Sequence, residues 1–94
     1  MKQKIEKSLV IEILNEDGLH ARPSASFVKT ANEFKSEIFV EKDNVKVNGK
    51  SILGIMMLSA GIGSKLKVTA YGTDAVEAIE KLKYLANNKF GELK

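Results

Sequence analysis

The residues best equipped for chemistry are gathered in one hexapeptide, Gly18-Leu19-His20-Ala21-Arg22-Pro23. His20 stands where a glycine-bearing loop meets a helix start, and the first N–H groups of a helix have no intrahelical acceptor. Such an end attracts anions, helped by the partial positive charge of the aligned peptide dipoles. Arg22 adds a planar cation matched to phosphate oxygens. These features suit an imidazole that attacks a phosphoryl group. The helix start disfavours a second positive charge on the ring, so a nitrogen lone pair stays available. After transfer, the N–H groups of Ala21 and Arg22 and the guanidinium would hold the phosphate. Pro23 fits a first helical turn because its missing N–H would have been unpaired there, yet it should also push Arg22 out of helical geometry.

Ser51 is the second candidate. By residue type it is a good N-cap for the short apolar helix Ile52–Leu58. Gly49-Lys50-Ser51 also echoes the end of a P-loop, but that motif needs a glycine where Asn44 stands, so nucleotide binding is not expected. In that helix Ile55 and Leu58 turn inward together, which leaves Ile52, Leu53 and Met56 exposed. An apolar patch containing methionine suits docking to several partners.

The elements that must position these residues follow from hydrophobic period. Leu9, Ile11 and Ile13 alternate within a strand at Ser8–Leu14, and Asn15–Gly18 is turn chemistry. Phe27, Ala31 and Phe34, extended by Ala21, Ala25 and Val28, predict an amphipathic helix over 20–34. Ile38 and Val40, then Val45 and Val47, flank a turn at Lys42-Asp43-Asn44 and read as a hairpin. Gly61 and Gly63 are placed to end the short helix. Leu66, Val68 and Ala70 give a fourth strand. Asp74 and Glu77 have capping-box spacing ahead of a stripe of Ala75, Ala78, Ile79, Leu82, Leu85 and Ala86. The order β-α-β-β-α-β-α predicts an α+β fold, a two-layer open-faced α/β sandwich with a mainly antiparallel four-stranded sheet.

Composition narrows the function classes. Ninety-four residues suit a single domain, 1–94. With 44% hydrophobic and 29% charged residues the chain reads as globular, not disordered. It has no cysteine and one histidine, which excludes thiolate and multi-histidine metal sites and suits the cytoplasm. The longest uncharged stretch, Ser51–Ser64, is short of the roughly 20 residues a membrane helix needs, so no membrane insertion is expected. Met1–Lys7 is basic, but Glu12 interrupts the apolar run behind it, which argues against a signal peptide. The net charge of +3 comes from scattered lysines and does not form the aromatic-interleaved stripe of a nucleic-acid binder. A small nucleic-acid-binding α/β module is the remote alternative.

From about Ser8 to Leu85 the chain resembles the HPr family, the histidine-containing phosphocarriers of the bacterial phosphotransferase system. Gly18-Leu19-His20-Ala21-Arg22-Pro23 is similar to the family's active-site signature, and Val47-Asn48-Gly49-Lys50-Ser51-Ile52-Leu53-Gly54-Ile55-Met56 to its regulatory-serine segment. The interval from His20 to Ser51 also agrees. The resemblance implies strand order 1-4-2-3 and a protein reactant that is not itself an enzyme. It implies no metal and no cofactor. His20 would accept phosphate through Nδ1 from enzyme I and pass it to a histidine of an enzyme IIA domain, with Arg22 steadying the group. Ser51 would be phosphorylated by an HPr serine kinase/phosphatase. The patch of Ile52, Leu53 and Met56 would dock both partners, Lys29 would supply a rim charge, and the chain is expected as a monomer. The N-terminus is longer than in commoner members. Met57 and the closing Phe90-Gly91-Glu92 are similar to regulatory or nitrogen-related branches, so signalling without sugar transport is the alternative role.

Overall fold

The structure is a computed structural model that describes residues 5–94. The first four residues of the basic Met1–Lys7 stretch, and with them most of the N-terminal extension, lie outside the described residues. Strand β1 (Ile5–Glu12) leads to helix α1 (Ala21–Ala31), and the hairpin β2 (Glu37–Lys42) and β3 (Val45–Asn48) follows. Then come α2 (Ile52–Met57), β4 (Lys65–Gly72), α3 (Ala75–Asn87) and a 3-10 turn at Lys89–Gly91. The sheet order is β1-β4-β2-β3 and every pair is antiparallel, as the α+β sandwich with order 1-4-2-3 requires. Asp43 and Asn44 join β2 to β3 with φ of 51° and 67°. Paired left-handed residues match the twist of a two-residue hairpin.

One sheet face is covered by the helices. Ile11 from β1, Ile38 and Val40 from β2, and Leu66, Val68 and Ala70 from β4 meet Phe27 and Ala31 of α1 and Leu82 of α3, all buried. The other face is open. There Phe39 and Tyr71, on neighbouring strands, pack edge to face with centroids 6.1 Å apart, and Lys46 lies 4.8 Å above the Phe39 ring. An edge-to-face pair with a lysine over one ring is not the row of parallel aromatic platforms on which single-stranded bases stack.

Four local expectations need correction. β1 begins and ends earlier than Ser8–Leu14. Ile13 leaves the ladder and exchanges main-chain bonds with the loop before β4: its N–H donates to Ser64 at 2.9 Å, and its carbonyl accepts from Gly63 at 2.7 Å. Helix α1 is shorter than 20–34. Phe34 packs on the core from the loop beyond it, while Ala21 and Ala25 are exposed and the buried positions between them are Pro23 and Ser24. The end of α2 is turned by Ser59, with φ of 51°, ahead of either glycine.

The fourth correction concerns Asp74, which makes no side-chain cap to α3. Its carboxylate faces the α1–β2 loop and accepts the N–H of Lys35 at 2.8 Å, the N–H of Ser36 at 3.0 Å and the Ser36 hydroxyl. The Ser36 hydroxyl, chiefly, lowers the Asp74 pKa below the ordinary carboxylate value; burial opposes it, and the main-chain donors add to the lowering.

Candidate functional site

The loop from β1 to α1 is built to present His20. Asn15 is buried and closes the turn, its Nδ2 donating to the Gly18 carbonyl at 2.6 Å while Gly18 N–H donates to the Asn15 carbonyl at 3.2 Å. Gly18 has φ of 70°, and a Cβ there would overlap the Ala60 carbonyl oxygen, so glycine is needed for both conformation and space. Leu19 is buried and its N–H donates to that Ala60 oxygen at 2.8 Å. The buried Ser24 hydroxyl donates to the Leu19 carbonyl at 3.1 Å, fixing the peptide that precedes the histidine. Ser24 and Ala60 act by holding the main chain of Leu19, a role for which residue spacing carries no signal.

His20 itself is the N-cap residue of α1, in extended geometry (φ −80°, ψ −165°), and its side chain makes no cap hydrogen bond. The ring therefore stays off the orphan amides. Pro23 has no N–H, and Ser24 N–H is already used by the His20 carbonyl at 3.0 Å. Among the described residues, the N–H groups of Ala21 and Arg22 have no acceptor. These are the two donors expected to face an anion. Arg22 is helical after all: Pro23 sits in the third helical position without displacing it, and the arginine is exposed. The His20 side chain, 43% exposed, lines an open pocket of about 220 Å³ together with Asp17, Leu19 and the Ser59–Gly61 loop.

One neighbour of the ring was not legible in the sequence. Glu92 Oε1 lies 3.5 Å from His20 Nε2. The only sequence signal near it is Phe90, whose apolar side chain suggests an anchored chain end.

Ser51 caps α2 as expected, its Oγ accepting Gly54 N–H at 3.0 Å. It is not beside His20. Lys50 Nζ donates to the Phe34 carbonyl at 2.8 Å beyond the end of α1, whereas Ala60, beyond the end of α2, holds Leu19 before the start of α1. The two helices thus run in opposite directions, with the Ser51 end of α2 toward the C-terminal end of α1, a helix of 11 residues and about 16 Å. Between them α2 displays Ile52, Leu53 and Met56, and also Met57, which is 74% exposed, while Ile55 and Leu58 are buried. Lys29 is exposed in the last turn of α1.

Residues 7–88 match the family model for the PTS HPr component phosphorylation site. The phosphocarrier protein HPr of Neisseria meningitidis serogroup A is 50% identical over 82 residues, 87% of this chain and 92% of that protein. The crystal structure of HPr-C-His from Thermoanaerobacter tengcongensis is 55% identical, with a TM-score of 0.89, covering 94% of this chain and 99% of that one. Crh of Bacillus subtilis, a catabolite-repression protein described as a dimer with a swapped domain, is 44% identical, with a TM-score of 0.72 over 84% of this chain and 91% of that one.

Proposed function

The chain belongs to the HPr family, and from that premise we propose that it carries phosphate on His20 within the phosphoenolpyruvate-dependent phosphotransferase system. The supporting observation is the uncapped ring at the start of α1, held beside two N–H groups without acceptors and an exposed Arg22. In the forward step the Nδ1 lone pair attacks the phosphorus of a phosphohistidine on enzyme I. The new N–P bond forms as the donor's P–N bond breaks, and the electron pair returns to the donor imidazole. The amides of Ala21 and Arg22 and the guanidinium then balance the phosphoryl oxygens. Attack by a histidine of an enzyme IIA domain reverses these events and regenerates His20. The chain is a reactant shuttled between enzymes, working in the cytoplasm.

Docking falls to the exposed side of α2, through Ile52, Leu53, Met56 and Met57, with Lys29 at its rim. Ser51 is the regulatory position, modified by a serine kinase. Because Ser51 lies toward the opposite end of α1, a helix about 16 Å long against a screening length of roughly 8 Å in physiological salt, the charge on a phosphoserine acts on a partner covering both sites and not on the imidazole. A second reading, a regulatory relay that energises no sugar uptake, is supported by the likeness to Crh. Incubation with phosphoenolpyruvate and enzyme I should give an acid-labile, alkali-stable label that His20→Ala abolishes. A label that persists in that variant removes the proposal.

A further inference from the structure

Glu92 belongs to no helix or strand, yet its backbone is held beside the histidine loop. Phe90 is buried and anchors the 3-10 turn before it. Gly91 N–H donates to the Asn88 carbonyl at 3.0 Å, and Glu92 N–H to the Lys89 carbonyl at 2.9 Å. Beyond Glu92 the chain is tied back to the histidine loop, because Glu16 N–H donates to the Lys94 main-chain oxygen at 2.8 Å. The Glu92 side chain is only 19% exposed and faces His20 Nε2 at 3.5 Å. The same segment walls an open pocket of about 310 Å³ shared with Asp17 and Arg22. A carboxylate fixed at both flanks and set on one nitrogen of a reactive ring has a definite chemical consequence.

We infer that Glu92 is a positioning residue for phosphoryl transfer, which selects the tautomer of His20 carrying its proton on Nε2. A carboxylate can accept but not donate, and one set 3.5 Å from Nε2 favours the tautomer with its proton on that side, which leaves the lone pair on Nδ1. The inference rests on the phosphocarrier reading of His20 and adds a charge partner to it. As Nδ1 forms its bond to phosphorus, the donor's P–N pair departs with the donor ring, and the Nε2 proton stays where it was. The His20 ring becomes a phosphoimidazolium, and its positive charge then faces the Glu92 carboxylate. That contact, loose in the free protein, tightens when the ring is charged. It also keeps the proton on Nε2 for the onward step, in which a neutral Nε2–H imidazole leaves.

The test uses the full chain with wild-type, Glu92→Gln and Glu92→Ala sequences. Long-range ¹H–¹⁵N spectra of the free protein should place the wild-type His20 proton on Nε2 and move it toward a mixture in Glu92→Ala. Turnover by enzyme I should fall about fivefold in kcat for Glu92→Gln, the range expected of a partly exposed charge pair, with KM unchanged. A tautomer that does not respond, rates within twofold of wild type, or a change in KM alone each overturns the inference. The tautomer arm needs no phosphate. A wild-type chain that is never phosphorylated therefore sinks the phosphocarrier reading, while the spectra still decide whether Glu92 governs the ring.

Discussion

Arg22 shows how a residue can be placed by its neighbours without touching them. Pro23 sacrifices an N–H that the helix start would have left unpaired, and Arg22 keeps helical geometry with its guanidinium in solvent. Its proposed role is charge-assisted bonding to a transferring phosphoryl group, worth about 1.5–3 kcal/mol. Arg22→Ala should accordingly slow transfer about 10- to 100-fold while leaving the unfolding midpoint unchanged, measured by stopped-flow transfer beside thermal melts. Asp74 is the contrasting case, a residue whose charge serves the fold. Its carboxylate gathers three donors from Lys35 and Ser36, and Ser36 is buried. Asp74→Ala should destabilise the protein by about 2 kcal/mol, because buried donors are left unpaired. The folded pKa of Asp74 is lowered, so its contribution is complete above the unfolded carboxylate value near 4 and is lost as pH falls through the folded value. Denaturant titrations of wild type and Asp74→Ala should therefore converge on acidification and differ most above about pH 5.

The helices and strands were more legible than the connections between them. The alternations in β1, β2 and β4 and the stripe of α3 are set by burial, which the period of a sequence records directly. The ends depend on which distant loop supplies a partner. Asp74 and Glu77 have the spacing of a capping box, but the Asp74 carboxylate is taken up by donors of Lys35 and Ser36, so Asp74 staples a loop instead. At the site, the hexapeptide disclosed His20 and Arg22. Glu92 was hidden, since it meets the histidine only through the packing of Phe90 and the Glu16–Lys94 bond. Helix α2 offers the clearest test at this scale. Ser51→Ala removes a cap and should lower stability by about 1 kcal/mol. Ser51→Asp keeps the cap and should slow transfer through the KM for enzyme I, because its charge meets the partner and not His20. Met56→Glu should raise the same KM without altering the melting curve. An unchanged KM in both variants would contradict docking on this helix.

Across the whole molecule, the helices cover one face of a sheet whose edges are β1 and β3. β3 has only four residues and carries Lys46, and β1 places Glu6, Lys7 and Glu12 along its length. The shortness of the β3 edge and the charges along the longer β1 edge oppose strand addition from a second copy. Light scattering should therefore give a monomer, in contrast to the dimer described for Crh; a stable dimer would contradict this account of the edges. Because α1 and α2 pack together in opposite directions, a partner docked on α2 can be sensitive to both ends of α1. All of this serves a phosphoryl group held briefly on one nitrogen. The most direct test is ¹⁵N–³¹P coupling in the ¹⁵N-labelled chain after reaction with phosphoenolpyruvate and enzyme I. A one-bond coupling to Nδ1 of His20 is the predicted result, and a phosphoryl group on Nε2, or none on this ring, would contradict it.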